Sequence, residues 1–311
     1  MSMQNFWALG KTIYTMSNPR EARRCVIFCI RAWLHRAKMR DIHQFFMSSE
    51  LLRRIAQSYP FVYEQPTRAL FYNKSSFDER AALVKAHMQF LCERLREDCV
   101  LSLYRQKELP LWSGMECGGQ TLSASLFFEP GQRKEGLLSV MLRLGRVPFY
   151  QIIFWIAPAQ DGHHAMWIGA MQGPNMEHAR DAVKQATKLC HGYRTKNLAL
   201  LLAQAAARGL GLGHIYAVTN IGYYANNHVR IDRKLKTDFS EFWREAGGFD
   251  TADERFMELP LTETRKTMEE VPTRKRAVYR RRFALMDEIE AEAAEYIRRI
   301  CRPDGMGVTG V

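Results

Sequence analysis

The sequence predicts a mixed α/β (α+β) fold, with a largely antiparallel central sheet, packed helices and helical extensions at both ends. Three observations predict it. Four short β-rich runs follow one another between residues 122 and 171, separated only by tight breaks. From 166 to 219 the pattern reads strand, helix, helix, strand, and both ends of the chain show helical apolar periodicity.

At the N-terminal end Val26, Cys29, Ile30, Trp33, Leu34 and Ala37 recur at i, i+3, i+4, i+7, i+8 and i+11, which is one face of a helix. Arg23, Arg24, Arg31, Arg36, Lys38 and Arg40 crowd around that face, so the segment can lie on an anionic membrane. The plainer alternative is that the stripe packs on the domain, since Cys25, Ile27 and Phe28 broaden its apolar surface. Ser76 with Glu79 forms the signature of a capping box for a second helix, which carries Val84, Met88, Leu91 and Leu95 and is expected to end near Glu97.

The strands expected next are 122–128, 137–144, 149–156 and 166–171, with breaks at Pro130-Gly131, Gly145 to Pro148 and Asp161-Gly162. Such short connections join antiparallel neighbours. Asn175 then opens a helix to about Cys190. A second, from about Thr195 to Arg208, carries the small residues Ala199, Ala203, Ala205, Ala206 and Ala207, which let a helix approach a sheet closely. Gly209, Gly211 and Gly213 stop it, and 214–219 reads as a strand. Phe239 to Ala246 is a short aromatic helix, and Phe283, Met286, Ile289, Ala293, Tyr296, Ile297 and Ile300 mark a last amphipathic one. The expected organisation is a basic helical extension over 1–60, an α/β domain over 61–302 and a disordered tail over 303–311.

Composition narrows the setting. The seven cysteines are odd in number and lack paired CxxC spacing, which speaks against a disulfide framework or a zinc site. No apolar run reaches the roughly 20 residues that cross a bilayer. The first ten residues have no basic start followed by an apolar run, so a cytoplasmic protein is expected. Of the net charge of +12, residues 1–60 supply ten Lys and Arg against Glu21, Asp41 and Glu50. That field attracts lipid phosphate, nucleic acid or an acidic protein surface.

Candidate chemistry gathers at two places. Arg194, Thr195, Lys196, Asn197, Leu198 and Ala199 open the Ala-rich helix, where backbone amides beside two cations make a ready anion site; an ordinary solvated basic cap reads equally well. The following loop, Asn220 through Tyr223, Tyr224, Asn226, Asn227 and His228, is rich in groups that donate, accept or titrate near neutrality, whether for function or to hold the loop. The histidines lack HExxH or comparable spacing, so no metal site is expected. Cys190 beside His191 reads as a buried thiol next to a polar cap. The basic run Lys275 to Arg282 is followed by Asp287, Glu288, Glu290, Glu292 and Glu295 on the same helix and belongs to no nucleic-acid-binding motif, so nucleic acid is set aside as a partner.

Six collinear segments carry a resemblance: Arg133 to Leu137, Ile168 to Pro174, Thr187-Lys188 with His191 to Lys196, Phe242 to Gly248, Glu258 to Pro260, and Lys275 to Arg282. In these the chain resembles the VirK/YbjX family of Gram-negative bacteria, whose domain has no established reaction. Where that pattern usually reads Arg-Pro-Lys, Thr195 replaces the proline. The resemblance implies an envelope-related role in surface-protein display, virulence and tolerance of host peptides. The expected protein is therefore cytoplasmic, with the inner-membrane surface or an envelope protein as partner.

A second, partial similarity is to acetyltransferases of the GNAT type. Arg194, Asn197 and Ala199 match their pyrophosphate loop except that Asn197 stands for a glycine, and a whole helix intervenes before the loop. That similarity implies an acyl-CoA donor held by the Asn197 amides with Arg194 and Lys196, and His228 or Tyr224 as general base or acid.

Overall fold

The structure, a computed structural model, describes residues 3–227 and 238–303. Helices α1 (Met3–Ile13), α2 (Pro19–Leu34), α3 (Arg36–Met47) and α4 (Glu50–Ser58) open the chain. Asn18 caps α2 by accepting from the Arg20 amide, with Pro19 in the first turn, and Ser49 caps α4 by accepting from the Leu52 amide at 3.2 Å. The single apolar run expected from Val26 to Ala37 breaks at His35, whose backbone (φ −103, ψ 28) is not helical. Of that run only Cys29 is buried, together with Cys25, Phe28 and Ala32 on the face that packs inward.

Two 3-10 turns, Pro60–Tyr63 and Gln65–Thr67, lead into α5 (Phe77–Arg94). The capping box forms as expected: Ser76 Oγ accepts from the Glu79 amide at 3.2 Å, and the Glu79 carboxylate from the Ser76 amide at 2.6 Å. The helix stops at Arg94. What looked like its last turn starts α6 (Glu97–Tyr104), with Glu97 and Asp98 in its first turn.

Strands β1 (Leu109–Cys117), β2 (Gln120–Phe127), β3 (Leu138–Leu144), β4 (Val147–Pro158) and β5 (His164–Gln172) form an antiparallel meander. Helices α7 (Ala179–Leu189) and α8 (Thr195–Leu210) then cross over to β6 (His214–Val218), which pairs with β5 in parallel. Gly211 ends α8 in the left-handed conformation (φ +76) that a side chain would strain. After α9 (Phe239–Glu245), β7 (Phe249–Asp250) and β8 (Phe256–Leu259) complete an eight-stranded sheet of order β1-β2-β3-β4-β5-β6-β8-β7, and α10 (Arg276–Ile300) packs on α8 and β1. The largely antiparallel sheet is thus present, with one parallel pair at its centre. β1 adds a strand that composition did not announce.

β4 buries Ile152, Ile153, Phe154, Trp155 and Ile156 in succession, as a strand does when both faces are covered. One cover is α8; the other is α5, pinned by His87, whose Nδ1 accepts from the Ile156 amide at 3.0 Å while Nε2 meets Tyr104 OH at 3.1 Å. Burial pushes the His87 imidazole down to about 3, so it stays neutral, and the Ile156 bond leaves its proton on Nε2. Phe6, Phe28, Met39, Phe46 and Ile55 from the first four helices share one core with Leu91, Phe154 and Ile289. Residues 304–311 of the expected tail lie outside the described residues.

Candidate functional site

Helix α8 starts at the C-terminal ends of the two parallel strands, because it runs back along them before β6 begins. Its N-cap, Arg194, has extended backbone and no side-chain capping bond. Arg194 Nη1 and Lys196 Nζ each reach Glu245 Oε2 at 3.2 Å, and the Lys196 ammonium lies 4.4 Å over the Phe242 ring. Lys196, and then Arg194, hold the Glu245 carboxyl below its ordinary range. Two cations against one carboxylate leave a positive charge in excess. Ala199 is fully buried behind this turn and Asn197 is half-buried. Thr195 Oγ1 and Asn197 Oδ1 are buried with no hydrogen-bond partner among the described residues, which is uncommon for polar atoms away from water.

β5 and β6 pair from Ala165–His214 to Ile168–Ala217 and then part. A bulge marks the point. Ile153 faces Ala170 and Phe154 faces Ile168, so Gly169 is the extra residue, and a Cβ there would stand 1.9 Å from the Glu135 carbonyl oxygen. The Glu135 carboxyl bridges the gap: Oε1 accepts from Tyr223 OH at 2.8 Å and Oε2 from Gln172 Nε2 at 2.8 Å. Burial raises the Glu135 carboxyl, against the opposing pull of those two donors, and burial followed by Glu135 raises the Tyr223 phenol. The pair can hold a proton at the meeting point of β5 and the loop after β6.

Tyr224 joins this second cluster, its ring 5.0 Å from that of Tyr223 and its phenol raised by burial and then by Glu135. Asn220 holds the loop. Its Oδ1 accepts from the Phe239 amide at 2.8 Å and its Nδ2 donates to Asp238 at 2.8 Å, so it seats the start of α9. His228, the other expected acid or base, lies outside the described residues.

Periodicity alone did not reveal a third feature, a row of rings across the sheet. Register sets Trp155 opposite Trp167, Trp167 opposite Tyr216 and Tyr216 opposite Glu258. Trp155 and Trp167 stack at 6.4 Å, Trp167 and Tyr216 at 4.4 Å, and Phe256 meets Trp167 edge-on at 5.0 Å. The turn at Asp161-Gly162 foretells the first pairing. The second depends on the parallel register of β5 and β6, which only the fold supplies.

Residues 17–295 match a family model described as "Protein of unknown function (DUF535)". The chain belongs to this family. The "Uncharacterized protein YbjX" of Escherichia coli (strain K12) is 32% identical over 183 residues, covering 58% of this chain and 55% of its own, so the match spans about half of that relative. An uncharacterized protein of Haemophilus influenzae is 28% identical over 289 residues, 91% of this chain and 92% of its own. "Membrane protein LapB" of Mannheimia haemolytica is 25% identical over 210 residues, 66% of this chain and 87% of its own. No solved structure matches. The VirK/YbjX resemblance is borne out, and none of these relatives is described as an acetyltransferase.

The segments that carried the VirK/YbjX resemblance sit where geometry is strict. Arg133 Nε donates to the buried Glu64 at 3.0 Å, Gly169 forms the bulge, and Trp243 Nε1 donates to the Val218 carbonyl at 2.8 Å, tying α9 to the end of β6. From the Lys275 to Arg282 run, Arg282 Nη2 donates to the His191 carbonyl at 2.9 Å, so this cation serves the fold.

Proposed function

We propose that this DUF535 protein docks peripherally on an anionic membrane surface of the bacterial envelope through its N-terminal helices. One observation carries the reading: Val26, Ile30, Trp33 and Leu34 on the outer face of α2 are 45%, 50%, 45% and 61% exposed. A surface helix normally turns such residues inward. Here the inward face is already filled by Cys25, Phe28, Cys29 and Ala32. Trp7 on the neighbouring α1 is exposed as well, with Lys11 5.6 Å over its ring, and Arg36 lies 5.6 Å over Trp33. Arg20, Arg23, Arg24 and Arg31 on α2 and Arg40 on α3 are exposed, with Arg31 also donating to the Thr67 carbonyl, while the exposed Lys38 is paired with Asp78 at 2.6 Å.

Indole rings at the headgroup level, aliphatic side chains below and guanidinium groups at the phosphates are how an interfacial helix binds. Each cation near an anionic surface adds about 1 kcal/mol. Among the described residues no helix is long and apolar enough to cross a membrane, so the attachment proposed is at the surface. The relative named a membrane protein supports the setting.

Sedimentation with vesicles tests this. The full chain is expected to pellet with phosphatidylglycerol-containing vesicles, to stay in solution with pure phosphatidylcholine, and to lose binding on Ile30→Glu with Trp33→Glu. Both positions are exposed, so circular dichroism should be unchanged. Equal binding to both lipids, or by the double variant, would overturn the proposal.

A second reading, acyl-CoA binding, is favoured by Thr195 Oγ1 and Asn197 Oδ1 at the start of α8, buried without a partner among the described residues, beside the point where β5 and β6 part. Calorimetry with acetyl-CoA and a long-chain acyl-CoA should then give heat that Arg194→Ala with Lys196→Ala reduces. No heat with either ester would remove it.

A further inference from the structure

The first turns of α5, the β4–β5–β6–β8 face and the 249–256 segment enclose a groove of about 750 Å³, the size that holds a small organic ligand. Its floor is the row of rings centred on Trp167, and Phe249, 56% exposed, forms part of its lining. Around this apolar surface stand Glu79, Asp253 and Glu258, with Asp161 next to Glu258 through His214.

The charges opposing them are already engaged. Arg255 binds both Asp253 oxygens at 2.7–3.0 Å, donates to the Asn73 carbonyl at 3.3 Å and lies 4.9 Å over the Tyr72 ring. His214 sits between Glu258 Oε1 at 2.7 Å and Asp161 Oδ2 at 2.8 Å, and these partners, Glu258 first, raise its imidazole above the ordinary value. Among the described residues, the lining carboxylates Glu79, Asp253 and Glu258 thus stand against one guanidinium and an imidazole that Glu258 shares with Asp161, on a chain whose net charge is +12. The local sign runs against the sign of the molecule.

We propose that this groove binds a small organic ammonium compound with an apolar body. The exposed Phe249 ring can attract a cation electrostatically, and the apolar lining takes up its hydrocarbon part, which a bare metal ion does not possess. Because Arg255 already neutralises Asp253, Glu79 and Glu258 supply the countercharge, and Trp167 and Phe249 the contact surface. An organic anion of the same size would meet the carboxylates, and the one guanidinium among the described lining residues, Arg255, is occupied by Asp253. The site lies apart from the Trp33 face of α2, and variants there should leave it unchanged.

Titration calorimetry on the full chain with hexyltrimethylammonium and, for comparison, hexanoate tests the proposal. The ammonium compound is expected to bind, more weakly as salt rises, and hexanoate to give no heat. Glu258→Gln, which keeps the side-chain shape, should weaken ammonium binding about tenfold, and Phe249→Ala, at an exposed position that does not support the core, about three- to tenfold. Hexanoate binding as tightly as the ammonium compound, no ammonium binding at all, or ammonium affinity unchanged in both variants would each overturn it.

Discussion

Glu64→Gln is expected to destabilise the fold by on the order of 3–5 kcal/mol, the cost of breaking a buried ion cluster by removing one partner. Glu64 is fully buried. Its Oε1 accepts from Tyr14 OH at 2.6 Å and Arg68 Nη1 at 2.7 Å, and its Oε2 from Arg133 Nε at 3.0 Å. Burial alone would push this carboxyl up, but Arg133, Arg68 and Tyr14 together outweigh it and hold the group below its ordinary range. Glutamine preserves the shape and removes the charge, leaving two largely buried guanidiniums facing each other.

Equilibrium denaturation measures the cost, and a loss under about 1 kcal/mol would show that water rescues the two arginines. Glu135→Gln serves as the contrast, because its carboxyl is already raised and its partners, Tyr223 and Gln172, are neutral. The pH dependence follows. Glu64, with a depressed folded pKa, contributes in full above the ordinary glutamate value of about 4.3 and loses that contribution as pH falls through the folded value. His87, kept neutral, contributes in full above about 6.5 and fades as pH falls towards about 3.

Gly169→Ala is expected to cost about 1–3 kcal/mol or more, the range for forcing a methyl group into a packed interior. The new Cβ would lie 1.9 Å from the Glu135 carbonyl oxygen and 2.9 Å from the Trp155 ring. Neither neighbour yields easily: one is backbone and the other is locked in the row of rings. The loop carrying Glu135 would have to back away, breaking its bonds to Tyr223 and Gln172. Gly131→Ala, where the nearest atom lies at 3.6 Å, is the control and should be close to neutral. A Gly169 variant as stable as that control would show that the bulge accommodates a side chain.

Much of the layout was legible in the sequence. The Ser76–Glu79 capping box, the runs that became β2 to β5 and the glycine stop after α8 are each written in a few neighbouring residues, where local chemistry decides. Of the candidate site, Arg194 and Lys196 were rightly placed at a helix start, and Tyr224 in a polar loop. Their partners were not legible. Glu245 comes from a helix some fifty residues on, and Glu135 reaches Tyr223 across 88 positions.

The sequence by itself determined strands β2 to β6, helices α5, α8, α9 and α10, and that the N-terminal fifth is strongly basic, since each depends on residues close along the chain. Only the tertiary structure decided which face of α2 is covered. Its helix carries apolar residues around more than half its girth, and periodicity groups residues by face without saying which face a neighbour will occupy. Packing chose Cys25, Phe28, Cys29 and Ala32 and left Val26, Ile30, Trp33 and Leu34 outside. The stacking of Tyr216 on Trp167 arises the same way, because a parallel pairing across two helices sets a register that no local signal contains.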